Sequence, residues 1–276
     1  MFSNPHKNAR ELLHSQEQRD AEQVDVGLKF LADGHLAEAE RLIWDVASRA
    51  PATYELVQVN GTQLDIKFWD LSDFLHYVMW QQKHGIERGI TWIPSAYPRA
   101  LYYMGFLRVK QERYYEAIPF LDRGEALEPT NPNFRLERAQ AICRIGKYQD
   151  AIPLYQQFRE LGPHTSAKHL GLALRGEGFA LIELARLDEA EACFRRSQEF
   201  DPESPVAANE LGYIQELRRG RRRATTEIVQ TMNNAAACFR CGSLNPAIVT
   251  EYRGRVLSFC DTCHRTLSKK WWEFWK

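Results

Sequence analysis

Three residue types recur at fixed intervals along this chain, and that periodicity limits its fold more than any other feature. A small residue stands at Gly27, Gly105, Ala139 and Gly178, and an alanine follows twelve residues later at Ala39, Ala117, Ala151 and Ala190. Twelve residues beyond those come Pro51, Pro129, Pro163 and Pro202, and Gly212 opens a fifth copy. The spacing has a physical reading. A small residue lets two antiparallel helices approach closely, while an apolar stripe at i, i+3, i+4 buries the seam between them. Proline ends the second helix, because it lacks an amide donor and restricts the residue before it. Gly34 and Gly146, five residues ahead of their alanines, mark turns between paired helices.

The period itself is 34 residues between Gly105 and Ala139 and between Gly178 and Gly212. It stretches to 39 between Ala139 and Gly178, placing five extra residues around Gly162-Pro163-His164-Thr165, and Gly27 to Gly105 is one period plus 44. With Leu28, Phe30, Leu36, Tyr115-Glu116-Ala117-Ile118 and Leu187-Asp188-Glu189-Ala190 in register, the chain resembles the tetratricopeptide repeat (TPR), a helix–turn–helix unit of this length. The resemblance covers roughly residues 21–51 and 98–219 and implies a mainly α fold, a TPR-type α-solenoid. It also implies a concave face lined by first helices that holds a protein or peptide ligand. On this register the face carries Arg99, Tyr102, Phe106, Asn133, Leu136, Gln140, Leu172, Arg175, Phe179, Asn209 and Tyr213. The same aromatic stripe also reads as core between repeats. The Lys and Asn positions of a two-carboxylate clamp are missing, so the acidic C-terminus of a chaperone is not the expected ligand.

The 44-residue insertion departs from the repeat. Tyr54 to Val59 and Thr62 to Phe68 flank Asn60-Gly61, which predicts a hairpin, with Leu64, Ile66 and Phe68 alternating. A helix is expected after Asp70 or Ser72, carrying Phe74, Leu75, Val78 and Met79 and stopping at Gly85. Trp69, Trp80 and Trp92 enrich the stretch in aromatics. It reads either as a loop closing the groove or, preferably, as a wedge between repeats.

A second module follows. Cys238-Phe239-Arg240-Cys241-Gly242 and Cys260-Asp261-Thr262-Cys263 have the C-x2-C…C-x2-C spacing of a four-cysteine zinc site. Residues 247–252 and 256–259 are able to pair around Arg253-Gly254, and the segment resembles a zinc ribbon over 238–265. Four thiolates leave no open ligand position, so one structural Zn²⁺ is expected. Cys260 to His264 also spells the C-x2-C-H pattern of c-type haem attachment, but that chemistry leaves Cys238 and Cys241 without a role. Cys143 and Cys193 read as small buried apolar residues.

Charge separates the two modules. The 36 basic and 36 acidic residues cancel overall, yet residues 218–276 hold 12 basic and 4 acidic side chains. Arg218, Arg219, Arg221, Arg222 and Arg223 crowd the junction, and beside a zinc ribbon they open a second reading, a regulator that contacts nucleic acid. Cations are equally at home at a helix C-terminus. The tail Lys269-Lys270-Trp271-Trp272-Glu273-Phe274-Trp275-Lys276 is suited to self-docking, to a partner or to peripheral contact with a membrane. The resulting division is a helical or flexible segment (1–19), a first TPR (20–53), the insertion (54–97), a TPR array with a capping helix (98–220), a linker (221–235), the ribbon (236–267) and the tail (268–276). No apolar stretch reaches the ~20 residues of a membrane span, and no signal segment is evident, so a cytoplasmic location is expected. Phosphate-loop, metalloprotease and hydrolase motifs are not found. The chain therefore reads as a non-enzymatic adaptor.

Overall fold

The computed structural model describes residues 5–220, 248–252 and 255–259. The chain divides into two compact units, Met1–Glu203 and Ser204–Lys276. Four helix pairs make up most of the first: α1 (Pro5–Ala32) with α2 (Leu36–Ser48), α4 (Tyr97–Lys110) with α5 (Tyr114–Leu127), α6 (Pro132–Arg144) with α7 (Tyr148–Tyr155), and α8 (Ala167–Glu183) with α9 (Leu187–Phe200). Between α2 and α4 run β1 (Val57–Asn60), β2 (Gln63–Phe68), α3 (Leu71–Lys83) and β3 (Gly89–Pro94).

Three of the pairs close on the small residue the periodicity singled out. A Cβ added at Gly27, Gly105 or Gly178 would meet Ile43, Leu121 or Phe194 at 2.7 Å. The large partner stands sixteen residues downstream each time, and sixteen residues after Ala139 comes Tyr155, buried at 2% exposure. Ala39, Ala117, Ala151 and Ala190 have no exposed surface. The turn seven residues after the small residue is left-handed in every pair, with φ +83° at Gly34 and +88° at Gly146. Glu112 and Ala185 hold the same region at +59° and +61°, although they carry a Cβ.

Successive pairs stack directly. Ala39, Ile43, Val46 and Ala47 of α2 share one core with Ala100, Leu101, Met104 and Leu107 of α4, so the insertion loops out and does not wedge the first two pairs apart. The first helices α4, α6 and α8 adjoin one another in order. One helix ends earlier than the repeat predicts. α7 stops at Tyr155, eight residues before Pro163, and the stretch up to the N-cap Ser166 is irregular.

The insertion forms a small sheet of order β1-β2-β3, with β1 antiparallel and β3 parallel to β2. The hairpin turn falls on Gly61 and Thr62, with Gly61 at φ +63° supplying the positive angle, since Asn60 already pairs with Gln63. The parallel strand β3 requires a crossover, and α3 provides it. Leu64, Ile66 and Phe68 point to one face and pack against Phe74, Tyr77 and Ile90, a core of its own.

In the second unit α10 (Pro205–Arg218) buries Val206, Ala207 and Ile214. β4 (Ile248–Tyr252) and β5 (Arg255–Phe259) pair antiparallel from Ile248↔Phe259 to Tyr252↔Arg255.

Candidate functional site

Part of the inner face, where α4 meets α6, is already occupied, and its occupant is Trp69 of the insertion. Trp69, directly after β2, is 7% exposed and belongs to the core formed by Val109, Ala117, Leu121, Phe134 and Ala141. Its ring lies 5.0 Å from Tyr102, 6.4 Å from Tyr103 and 5.5 Å from Phe134, the last edge to face. The indole Nε1 donates to Glu128 Oε2 at 2.7 Å, and Asn131 Nδ2 donates to the other oxygen at 3.0 Å. Both carboxylate oxygens are thus partnered in an apolar surround. Burial nevertheless pushes the Glu128 carboxyl up to about 8.

α3 continues from this anchor across the face. Asp70 caps it by accepting from the Asp73 N–H at 3.0 Å. Burial raises the Asp73 carboxyl to about 7, with Asp70 acting in the same direction and the charges of Lys168 on α8 and Arg99 on α4 opposing it. One turn on, His76 Nε2 is 2.8 Å from the Gly162 carbonyl, and the ring of Tyr77 lies 5.3 Å from that of His164. His169, near the start of α8, is driven down to about 4 by burial first and then by Lys168 and His76. The two places where the chain departs from its 34-residue period therefore meet each other.

The far side of the insertion is tied to α1. Lys67 Nζ pairs with Glu17 Oε2 at 2.9 Å and sits 3.8 Å over the Tyr54 ring, while Tyr54 donates its hydroxyl to Glu17.

The face residues named from the sequence separate by environment. Arg99, Leu136, Gln140, Leu172 and Arg175 are buried, at 6%, 4%, 7%, 8% and 5% exposure. Arg99 pairs with Asp25 of α1, and Arg175 Nη1 with Asp201 at 3.0 Å. Tyr102, Phe106, Asn133 and Phe179 are half-buried. Tyr102 stacks at 6.3 Å on Phe106 and hydrogen-bonds Glu137, whose carboxyl burial raises to about 7. Asn133 is the second residue of α6, its N–H donated to Asn131 Oδ1. Phe179 meets Tyr148 at 6.4 Å. Asn209 and Tyr213 belong to α10 of the second unit, where Arg218 and Arg219 are exposed at the helix end. Tyr103 and Asn131, which help complete the Trp69 cage, carry no signal in the repeat pattern, and Glu128 figures there only as the acidic residue before Pro129, as Asp201 does before Pro202. Trp69 shows up only as one of several aromatics in an atypical stretch.

Cys143 and Cys193 are free thiols raised by burial to about 12, which removes them from thiolate chemistry. Among the described residues no cluster of His, Cys, Asp or Glu is arranged to hold a metal, and no helix is long and apolar enough to cross a membrane. Cys238, Cys241, Cys260, Cys263, Arg221, Arg222, Arg223 and the Trp-rich tail lie outside the described residues.

No family model matches the chain, and neither does any curated protein. Solved structures do. The second TPR domain of human RPAP3, in complex with an HSP70 peptide, is 26% identical over 43% of this chain and 98% of that one, with a TM-score of 0.36. MamA from Desulfovibrio magneticus RS-1 is 15% identical over 72% and 86%, with a TM-score of 0.44. A tetratricopeptide repeat protein from Parabacteroides merdae is 18% identical over 74% and 61%, with a TM-score of 0.46. The fold rests on the chain's own geometry: four antiparallel pairs, three with the same small-to-large contact and all with the same left-handed turn. The helical array is TPR-like. Trp69 of the insertion packs on its first helices α4 and α6.

Proposed function

We propose that the protein is a non-enzymatic adaptor whose TPR-like inner face recognises a segment of a partner protein. One observation carries this reading: the face already grips a segment of polypeptide, with Trp69 held in an aromatic cage and hydrogen-bonded to Glu128. A surface able to hold one aromatic anchor with a matched acceptor has the features that make binding hot spots. The half-buried Tyr102, Phe106 and Phe179 extend that surface along α4 and α8. A photo-crosslinking residue at Phe106 or Phe179 tests the proposal. Partner adducts from these sites, and none from the exposed Tyr115 on an outer helix, support it. Adducts at Tyr115 alone contradict it.

For the C-terminal module we propose a zinc ribbon that supplies a second contact. Support comes from the two cysteine pairs and the hairpin between them. β5 ends at Phe259, next to Cys260, and its partner Ile248 follows Cys241 by seven residues, so both pairs flank the same end of the hairpin. Cys238, Cys241, Cys260 and Cys263 would hold the ion, which would do for so small a module what a hydrophobic core does for a larger one. The exposed Arg218 and Arg219, together with the three arginines that follow, keep a nucleic-acid contact as the second reading. Filter binding at low salt separates the two, since a phosphate contact weakens steeply as salt rises.

A further inference from the structure

The proposed binding face holds a specific piece of this chain, and the details of that hold describe what else would fit. This inference rests on the adaptor reading above and gives its ligand a chemistry. Two features of the bound segment are matched by the array. Trp69 fills the space between Tyr102, Tyr103 and Phe134. Its indole N–H meets the buried acceptor Glu128 at 2.7 Å.

The rest of the insertion is organised to stand apart from that hold. Its sheet and helix share a separate core of Leu64, Ile66, Phe68, Phe74, Tyr77 and Ile90, while Trp69 packs into the core of the array. The side of α3 facing away from the array carries Leu71, Leu75 and Met79, exposed at 56%, 47% and 66%. They recur every four residues, so they form one stripe on the helix. The insertion therefore keeps its internal packing when Trp69 leaves its cage, and only the cage and the polar contacts of α3 have to be replaced.

We infer that Trp69 acts as an internal stand-in for the partner, and that the face binds an exposed segment anchored by a tryptophan. The partner competes with the insertion and replaces its indole N–H bond to Glu128. A tryptophan is specified because no other aromatic side chain brings an apolar ring of that size with a single N–H donor and no acceptor.

The test uses the full chain and a synthetic peptide with the sequence of residues 66–76. Binding is measured by fluorescence anisotropy to the wild type, to Trp69→Phe and to Trp69→Ala, with far-UV circular dichroism confirming that each is folded. Trp69→Phe keeps a ring in the cage and guards against a collapse specific to the alanine variant. The expected order is wild type weakest, Trp69→Phe intermediate and Trp69→Ala tightest, with at least a tenfold span. A peptide with the tryptophan changed to alanine should bind Trp69→Ala at least tenfold more weakly than the parent. Equal binding to all three proteins, no binding to either variant, or equal binding of the altered peptide would overturn the inference. If the peptide fails while partner crosslinks at Phe106 and Phe179 persist, only this ligand chemistry falls. If the crosslinks are missing as well, the adaptor reading falls with it.

Discussion

The indole Nε1 of Trp69 lies 2.7 Å from Oε2 of Glu128, a buried contact that ties the insertion to the turn between α5 and α6. Because the acceptor is a carboxyl that burial raises to about 8, the strength of this tie depends on pH. A group whose pKa is higher in the folded than in the unfolded chain binds more protons when folded between those two values. Its contribution is fully present below the unfolded value near 4.5 and is lost as pH rises through about 8. Asp73 and Glu137, each raised to about 7 by burial, act in the same direction. Urea unfolding at pH 5, 6.5 and 8 should show stability falling across the series. In Glu128→Gln the fall should be shallower, although the variant loses about 1 kcal/mol at pH 5 because its amide cannot accept from Asn131. A wild type and variant with parallel pH profiles would mean that Glu128 does not ionise in this window.

The small residues are there for close approach, and that is separable from helix propensity. Gly105→Ala gains about 1 kcal/mol of propensity but sets a Cβ 2.7 Å from Leu121, an overpacking that costs about 1–3 kcal/mol. Gly212 on α10 has nothing within 4 Å of the same added atom among the described residues, so Gly212→Ala keeps the gain alone. Denaturant midpoints should therefore fall for the first variant and rise for the second. The double variant Gly105→Ala, Leu121→Ala should lose less than the sum of its two single changes, because the contact is removed once.

Ala185 holds a left-handed turn at φ +61°, where an L-residue is strained by about 1–2 kcal/mol. Ala185→Gly should stabilise by up to about 1 kcal/mol, once the greater freedom of glycine in the unfolded chain is offset. Gly146→Ala, at the matching turn with φ +88° and open space around it, should destabilise by a similar amount. The thermal midpoints of the two variants should move in opposite directions.

The zinc proposal predicts one ion per chain by native mass spectrometry, removed by a chelator and absent from Cys238→Ser. Its loss should leave the far-UV helical signal nearly unchanged, since the repeats are held by their own cores. A protein that carries no zinc, yet keeps the β4–β5 pairing by hydrogen exchange, contradicts the proposal.

Much of the array was legible from the sequence because helix pairing imposes a period. Gly27, Ala39 and Pro51 each have one geometric task, and the task recurs, so the residues recur. The insertion has no period to read. Its hairpin and helix announce themselves through Gly61 and the N-cap Asp70, but β3 does not, because a parallel partner lies across α3 and leaves no local turn signal. Pro163 misleads for a related reason: the repeat places a helix end there, whereas the chain leaves α7 at Tyr155 and presents Gly162 and His164 to α3. The buried state of Arg99 was likewise out of reach, since its partner Asp25 lies on α1, 74 residues earlier.

The account turns on Trp69 occupying the inner face, and its indole proton reports that directly. In a protein labelled with ¹⁵N at tryptophan indoles, Trp69→Phe assigns the resonance. The account predicts a slowly exchanging Nε1 proton with nuclear Overhauser contacts to the rings of Tyr102 and Phe134. An indole proton that exchanges at the solvent rate and shows neither contact would contradict it.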